Sequence, residues 1–278
     1  MNPVEGIIDS HCHLQDPKFD GDHGAVVRRS REAGVSALVV VGYDLESSRR
    51  AVQLAQSFDC LYATVGIHPH DSKMLTPAGI DALSRLAANP RVLAIGEIGL
   101  DFYRNLSPPD RQCQAFREQL DMALSLRLPV VIHARDADEE TFDILSVYAE
   151  SVKDECPPNR PLGVMHCFAG DLALALRYIK LGFLISIAGT VTYPNAHRTR
   201  AVARGLPLAS VVIETDAPYL TPQSRRGQRN EPAYVVETAR FIADLRNERF
   251  ERIAESTSAN AAHIFAIDRV SEPAGERP

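Results

Sequence analysis

The sequence predicts an α/β fold, a (β/α)8 TIM barrel in a single domain. Eight short apolar, β-branched runs alternate with longer stretches of helical periodicity, which argues for a parallel sheet with helical crossovers. The chain has 278 residues, and eight such units in about 250 residues fill a closed barrel. The competing architecture is a doubly wound open sheet. It lacks its usual signature, because no glycine-rich dinucleotide fingerprint follows the first run and no Walker lysine loop occurs.

The elements follow in order. The first run, Gly6 to His11, leads into the triplet His11-Cys12-His13. The second is Ala37 to Gly42, followed by a helix over Asp44 to Phe58 with Asp44 as N-cap and Leu45, Val52, Leu54, Ala55 and Phe58 at helical spacing. The third run is Leu61 to His68 and the fourth Val92 to Leu100, with a helix over Asp110 to Leu126 carrying Phe116, Leu120, Ala123 and Leu124. Pro129 to His133 and Leu162 to His166 give strands five and six. A helix over Asp171 to Leu181 ends at Gly182, a C′ stop. Phe183 to Ala188 and Val211 to Asp216 complete the eight. The barrel is assigned to residues 1–270, and the polar tail 271–278, with its two prolines, is expected to be disordered.

Composition excludes several classes. Hydrophobic residues make up 45% and charged residues 24% of the chain, as in an ordinary globular protein. The formal charge of −6 argues against nucleic-acid binding by bulk electrostatics, so an anionic substrate must be drawn by local arginines or bound metal. Five cysteines with no CxxC pair argue against a disulfide framework or zinc finger and for reduced thiols in the cytoplasm. The N-terminus reads as free of a secretory signal, and nothing approaches the roughly 20 apolar residues of a membrane span. Neither a membrane nor an obligate protein partner is expected.

The chemistry collects at the C-terminal strand ends, where a barrel builds its site. Strand one carries His11 and His13, which alternation places on one face. Strand three ends in His68-Pro69-His70, strand four contains Glu97 and reaches Asp101, strands five and six end in His133 and His166, and strand eight ends in Glu214-Thr215-Asp216. Any one of these alone reads as a hydrogen-bonded structural group. Together they read as a metal site, because buried ionisable groups are costly unless paired or metal-bound. Imidazole and carboxylate without thiolate suit Zn, Mn, Co or Ni, with Mg possible at carboxylate-rich positions. Four histidines and two carboxylates exceed the needs of one tetrahedral ion, so two divalent ions (Mg, Mn or Zn) are the expected cofactors. Alternation turns Cys12 and Cys167 away from the site.

The segments Asp9-Ser10-His11-Cys12-His13, Gly66-Ile67-His68-Pro69-His70, Gly96-Glu97-Ile98-Gly99-Leu100-Asp101, His166-Cys167-Phe168 and Glu214-Thr215-Asp216-Ala217-Pro218-Tyr219-Leu220 together resemble the TatD family of metal-dependent deoxyribonucleases, within the amidohydrolase-like barrels. Arg229-Asn230-Glu231-Pro232 also matches, and the similarity runs from about Gly6 to Phe265. The resemblance implies that His11 and His13 bind one metal, that Glu97 bridges both, that His133 and His166 bind the second, and that Asp216 completes the first site and handles a proton. It implies a position near the substrate phosphate for His68. The only departures are the tail and the proline-rich stretch 154–161, expected on the N-terminal side of the barrel.

The expected activity is hydrolysis of DNA phosphodiesters by a two-metal hydroxide mechanism, acting on single strands from a 3′ end, with Glu97 and Asp216 as the catalytic carboxylates. The acidic net charge favours recognition of a strand end over a long track. Arg225, Arg226 and Arg229 read either as a phosphate clamp or as a solvated surface run, and Tyr219 either as a base-stacking or a packing residue. An amidohydrolase acting on a small molecule or on an ester of aminoacyl-tRNA would use the same metals, and a non-enzymatic metal scaffold is the third reading.

Overall fold

A computed structural model describes residues 6–152 and 160–267 of the chain. The tail 271–278 and most of the stretch 154–161 lie outside the described residues. Eight strands run in chain order: β1 (Ile7–Cys12), β2 (Val35–Val41), β3 (Leu61–Val65), β4 (Val92–Asp101), β5 (Val130–Arg135), β6 (Gly163–Met165), β7 (Phe183–Ile187) and β8 (Val211–Ile213). Each pairs in parallel with the next in a single sheet. The helices are α1 (His23–Glu32), α2 (Leu45–Ser57), α3 (Pro77–Ala87), α4 (Pro109–Leu126), α5 (Asp138–Val152), α6 (Leu172–Leu181), α7 (His197–Gly205), α8 (Val235–Arg246) and α9 (Phe250–Phe265).

The seam between β8 and β1 is closed partly by side chains. Backbone N–H groups of Asp216 and His13 donate to His11 and Ala217 carbonyls at 2.9 and 2.7 Å. The Ser10 hydroxyl donates to Ile213 O at 2.9 Å. The buried Asp9 carboxyl accepts from Thr215 N and from Thr215 Oγ1. Burial pushes the Asp9 carboxyl up to about 8, so it stays protonated at neutral pH and adds no charge beside the site.

The expected caps form. Asp44 accepts from Ser47 N at the start of α2 while Ser47 Oγ accepts from Asp44 N. Asp171 caps α6, and Gly182 stops it at φ 98°. Two strands, β3 and β8, end well before the sequence suggested. β3 stops at Val65, where Gly66 N and Ile67 N turn to the Ser48 hydroxyl and the Gln119 amide oxygen, and His68 then caps a 3-10 turn over Pro69–Met74. β8 stops at Ile213, and Asp216 adopts φ 57°, off the extended path.

Alternation divides the apolar side chains into two sets. Ile8, Val39, Val41, Ala94, Val131, Val164, Leu184 and Val212 fill the barrel interior together with Ala261, Ile264 and Phe265 of α9. Ser258 of α9 accepts from Ile8 N, and Asn260 donates to Leu208 O and Val211 O. The α9 helix therefore plugs the N-terminal mouth and leaves the C-terminal mouth open. The opposite strand faces, with Leu38, Val40, Leu61, Ile95, Ile132 and Ile185 among them, pack against the surrounding helices. Cys12 belongs to this outer set and is fully buried, as alternation required.

One glycine decides how closely β4 approaches β5. A Cβ on Gly99, at φ 138°, would sit 2.0 Å from the His133 carbonyl oxygen. Gly99→Ala is expected to displace β5 at His133, lowering stability by about 1–3 kcal/mol and weakening metal binding. Chemical denaturation together with metal titration checks both effects, and a variant with wild-type values in both would rule out the close approach as a constraint.

Candidate metal centre

The site is assembled at the open mouth from five places in the chain. In β1 the register shifts between Asp9 and Cys12, so Ser10, reaching Ser186 Oγ, and His11, reaching Glu97, both face inward. Glu97 projects from β4, His133 from β5, His166 from the residue after β6, and Asp216 from the turn after β8. All six predicted ligands converge. The Glu97 Oε2 atom lies 3.5 Å from His11 Nε2 and 3.7 Å from His13 Nε2. Its Oε1 atom lies 2.8 Å from His133 Nδ1 and 3.3 Å from His166 Nε2. Asp216 Oδ1 lies 3.3 Å from His13 Nε2 and 3.7 Å from His11 Nε2. The donor atoms form three groups compact enough to hold an ion: His11–His13–Asp216, His11–Glu97–His166 and His68–Glu97–His133.

The second nitrogen of each ring shows which way the lone pairs point. His13 Nδ1 lies 2.8 Å from the Val41 carbonyl and must donate to it. His166 Nδ1 lies 2.9 Å from Glu214 Oε1. His133 Nε2 lies 3.4 Å from Asp101 Oδ2. Each of these rings has one nitrogen toward an outer oxygen and the other toward Glu97 or Asp216, so with a metal bound the outer nitrogen would carry the proton and the inner one would offer its lone pair; without it, His133 Nδ1 donates to Glu97 Oε1 at 2.8 Å. His11 Nε2 and His13 Nε2 are only 3.2 Å apart. Buried imidazoles and carboxylates converging this closely, with outer carboxylates and a carbonyl to orient the rings, fit a divalent metal that would take the place of the protons between them. His68 differs. Its Nδ1 accepts from His70 N at 3.2 Å, so its proton sits on Nε2, 3.5 Å from Glu97 Oε1. His68 therefore enters the site as a hydrogen-bond donor, not as a lone pair.

Charge follows from this packing. Burial would raise the Glu97 carboxyl, but the surrounding imidazoles, His166 foremost, outweigh it and hold Glu97 well below the usual carboxylate range. Asp216 is lowered in the same way, mainly by its contact with His13 against the opposing effect of burial. Burial disfavours charge on His166, yet Glu214 and Glu97 raise it well above the ordinary imidazole value, and His133 and His13 are also raised by their carboxylate partners. His68, buried without such compensation, is lowered well below it. In the metal-free protein, protons therefore stay on His166, His133 and His13 to higher pH than on free imidazoles, while burial lowers His11, and a metal must displace those protons. Metal content is expected to fall as pH drops from about 8 to about 5.5 and to recover on return, since ligand imidazoles must be neutral. Equilibrium dialysis with elemental analysis tests this, and constant occupancy across the range would refute it.

The metal-binding groups open into a cavity of about 590 Å3 lined also by Tyr43, His70, Asp71, Asp101, Arg104, Leu106, Arg135 and Tyr219. The arginines singled out after the last strand are absent from that lining. Arg225 pairs with Glu237 at 2.7 Å, Arg229 pairs with Asp22 and Glu231, and Arg226 stacks on Tyr193. The cations at the cavity are instead Arg104 and Arg135. Tyr219 lines the cavity while its hydroxyl donates to Asp16 Oδ2 at 2.7 Å. Three groups without an assigned role in the sequence now have one. Glu214 is fully buried and touches His166, Cys167 N and Ser186 Oγ. Asp101 bridges His133 and His70, lying 2.8 Å from His70 Nε2. Asp9 ties β1 to Thr215. Asp101 and Glu214 stand beside ligands in motifs already singled out, and that adjacency was their signal.

Residues 8–266 match the model of a family described as TatD related DNase. The chain is 38% identical over 263 residues to YabD of Bacillus subtilis (strain 168), described as an uncharacterized metal-dependent hydrolase, across 94% of this chain and 100% of that protein. It is 35% identical over 267 residues to the 3′-5′ ssDNA/RNA exonuclease TatD of Klebsiella pneumoniae (strain 342), across 94% of this chain and 98% of that one. The crystal structure of YjjV, a TatD homolog from Escherichia coli K12, superposes with a TM-score of 0.86 at 33% identity, covering 94% of this chain and 98% of its own. No helix among the described residues is long and apolar enough to cross a membrane.

Proposed function

The chain belongs to the TatD-related DNase family of metal-dependent hydrolases, and on that premise we propose that it is a two-metal exonuclease removing nucleotides from the 3′ end of single-stranded DNA. One observation carries the two-metal reading. His11–His13–Asp216 is one compact donor group, and Glu97 reaches from it, through His11, to both His166 and His133 on the other side of the site. His11, His13 and Asp216 would hold one ion and His133 and His166 the other, with Glu97 between them. Bound ions would supply Lewis-acid stabilisation of charge on the phosphoryl oxygens and a water of lowered pKa.

The side chains supply the rest. Asp216, ionised at neutral pH, is placed to take the proton from the attacking water. His68 Nε2–H is a fixed donor for a non-bridging phosphate oxygen. The cavity volume of about 590 Å3 lies within the range of about 300–1,000 Å3 typical of small-molecule pockets. It suits the end of a strand rather than a duplex, in keeping with the chain's net charge of −6. The name of the Klebsiella relative supports the choice of substrate and polarity.

The test uses 5′-labelled single-stranded DNA and RNA, with Mg, Mn or Zn supplied in turn. Stepwise shortening from the 3′ end with two metals per chain is the expected result. Dispersed internal cuts would overturn the exonuclease assignment. Turnover of amide or lactone substrates with no cleavage of either nucleic acid would overturn the substrate class.

A further inference from the structure

We propose that Tyr103, backed by Arg135, is a stacking platform for a nucleobase flanking the scissile phosphate. The inference rests on the nucleic-acid reading above and adds to it a subsite on one wall of the cavity. The loop between β4 and α4 is anchored at several points. Asp101 Oδ1 accepts from Arg104 N at 2.7 Å, Gln112 Nε2 donates to Ser107 O at 2.8 Å, Ser107 Oγ donates to His70 O at 2.7 Å, and Lys73 Nζ donates to Leu106 O at 3.0 Å. A loop held this firmly nevertheless leaves Tyr103 60% and Leu106 54% exposed. Exposed aromatic surface on a preorganised loop is costly to leave in water and cheap to cover, because little ordering is needed on binding.

The surroundings identify what would cover it. The Arg135 guanidinium lies 3.9 Å from the Tyr103 ring centre and takes one face of the ring, leaving the other for a planar partner. Arg135, Arg104 and Leu106 line the same cavity as Glu97. Among the described residues neither Arg104 nor Arg135 is ion-paired, whereas Arg225 and Arg229, in the segment after β8, are neutralised by carboxylates. A ligand that is anionic near the metal-binding groups and aromatic just beyond them matches this order of features. A single nucleotide unit, phosphate then base, has that order. The wall lies at β4 and β5, across the barrel from β1 and β8, where Tyr219 lines the cavity.

The experiment compares wild type, Tyr103→Ala and Tyr103→Phe, each with bound metal. The substrates are oligothymidylate, the same strand with an abasic residue at each of the two 3′-terminal positions in turn, and methyl p-nitrophenyl phosphate. Tyr103→Ala is expected to raise KM for oligothymidylate about tenfold, in line with base–aromatic stacking elsewhere, with kcat for the small diester unchanged. Tyr103→Phe is expected to match wild type. At one of the two abasic positions, wild type and Tyr103→Ala are expected to converge. Equal losses on the small diester, or an unchanged KM on oligothymidylate, would overturn the platform alone. A wild-type enzyme that cleaves the small diester and no oligonucleotide would overturn the nucleic-acid reading, and the platform with it.

Discussion

Replacing Glu97 with alanine is expected to strip the centre of metal and reduce divalent-dependent hydrolysis by about a thousandfold or more. The magnitude follows from the several kcal/mol that a catalytic metal contributes to transition-state stabilisation, each ~1.4 kcal/mol being a factor of ten. The position explains why the loss should be so large. Glu97 is buried and lies within 3.7 Å of His11, His13, His68, His133 and His166. Two of the three donor groups contain it, so its removal breaks both and takes a carboxylate from beside His11 and His13 of the third. Glu97→Gln separates charge from shape. The amide fills the same space, but its NH2 end cannot ligate a metal and it carries no negative charge to hold a cation. Both variants should fold, since the surrounding rings keep their outward partners Val41 O, Asp101 and Glu214. Metal stoichiometry per chain and the rate on a single-stranded substrate are the measurements. Wild-type stoichiometry with activity within tenfold of normal would refute Glu97 as the shared ligand.

The barrel and the convergence of the six inward side chains were legible in the sequence for the same reason: both depend on local order. Alternation of strand and helix needs only neighbouring residues, and a strand end carrying His-x-His puts two rings on one face whatever the rest of the chain does. The inference survived even the register shift in β1, because His11 and His13 lie on the same side of the slip. Failures came where a partner lies far away in the chain. Arg229 follows the last strand and looked free, but Asp22, brought in beside α1, neutralises it together with Glu231. Arg135 ends β5 two residues beyond His133, so alternation alone could have directed it to the cavity. Glu214 could not be assigned to His166 from sequence, since the pairing joins the ends of two strands separated by β7. The early end of β3 reflects a related limit. The apolar run of β3 continues past Val65, but Gly66 N and Ile67 N turn to Ser48 and to Gln119, which lies more than fifty residues away in the chain.

The outer carboxylate at His166 gives the second large expected effect. Glu214→Gln is expected to weaken metal binding about 10–100-fold near pH 8, the usual cost of losing a group that orients a metal-binding histidine. Geometry should survive. The Gln carbonyl oxygen can accept from Cys167 N, as Glu214 Oε1 does, and stay beside His166 Nδ1, and its amide can donate to Ser186 Oγ, which now donates to Glu214 Oε2 at 2.6 Å. What is lost is negative charge behind the imidazole, which makes His166 a better electron donor and also, in the metal-free protein, holds its pKa well above the ordinary value. These two consequences oppose each other as pH falls. In wild type, protons compete for His166 from above the ordinary imidazole range downward, so metal affinity declines early. In the Gln variant the pKa of His166 is lower, proton competition begins at lower pH, and the gap between the two proteins narrows between about pH 8 and pH 6. Glu214→Ala lacks any replacement acceptor. It leaves Cys167 N–H and the Ser186 hydroxyl without their partner in a buried site, an added destabilisation of about 1–3 kcal/mol. Metal titrations at both pH values, with melting of the metal-free proteins, distinguish the contributions. A Gln variant whose affinity is wild-type at pH 8, or whose deficit grows at pH 6, would show that the Glu214 charge does not act through His166.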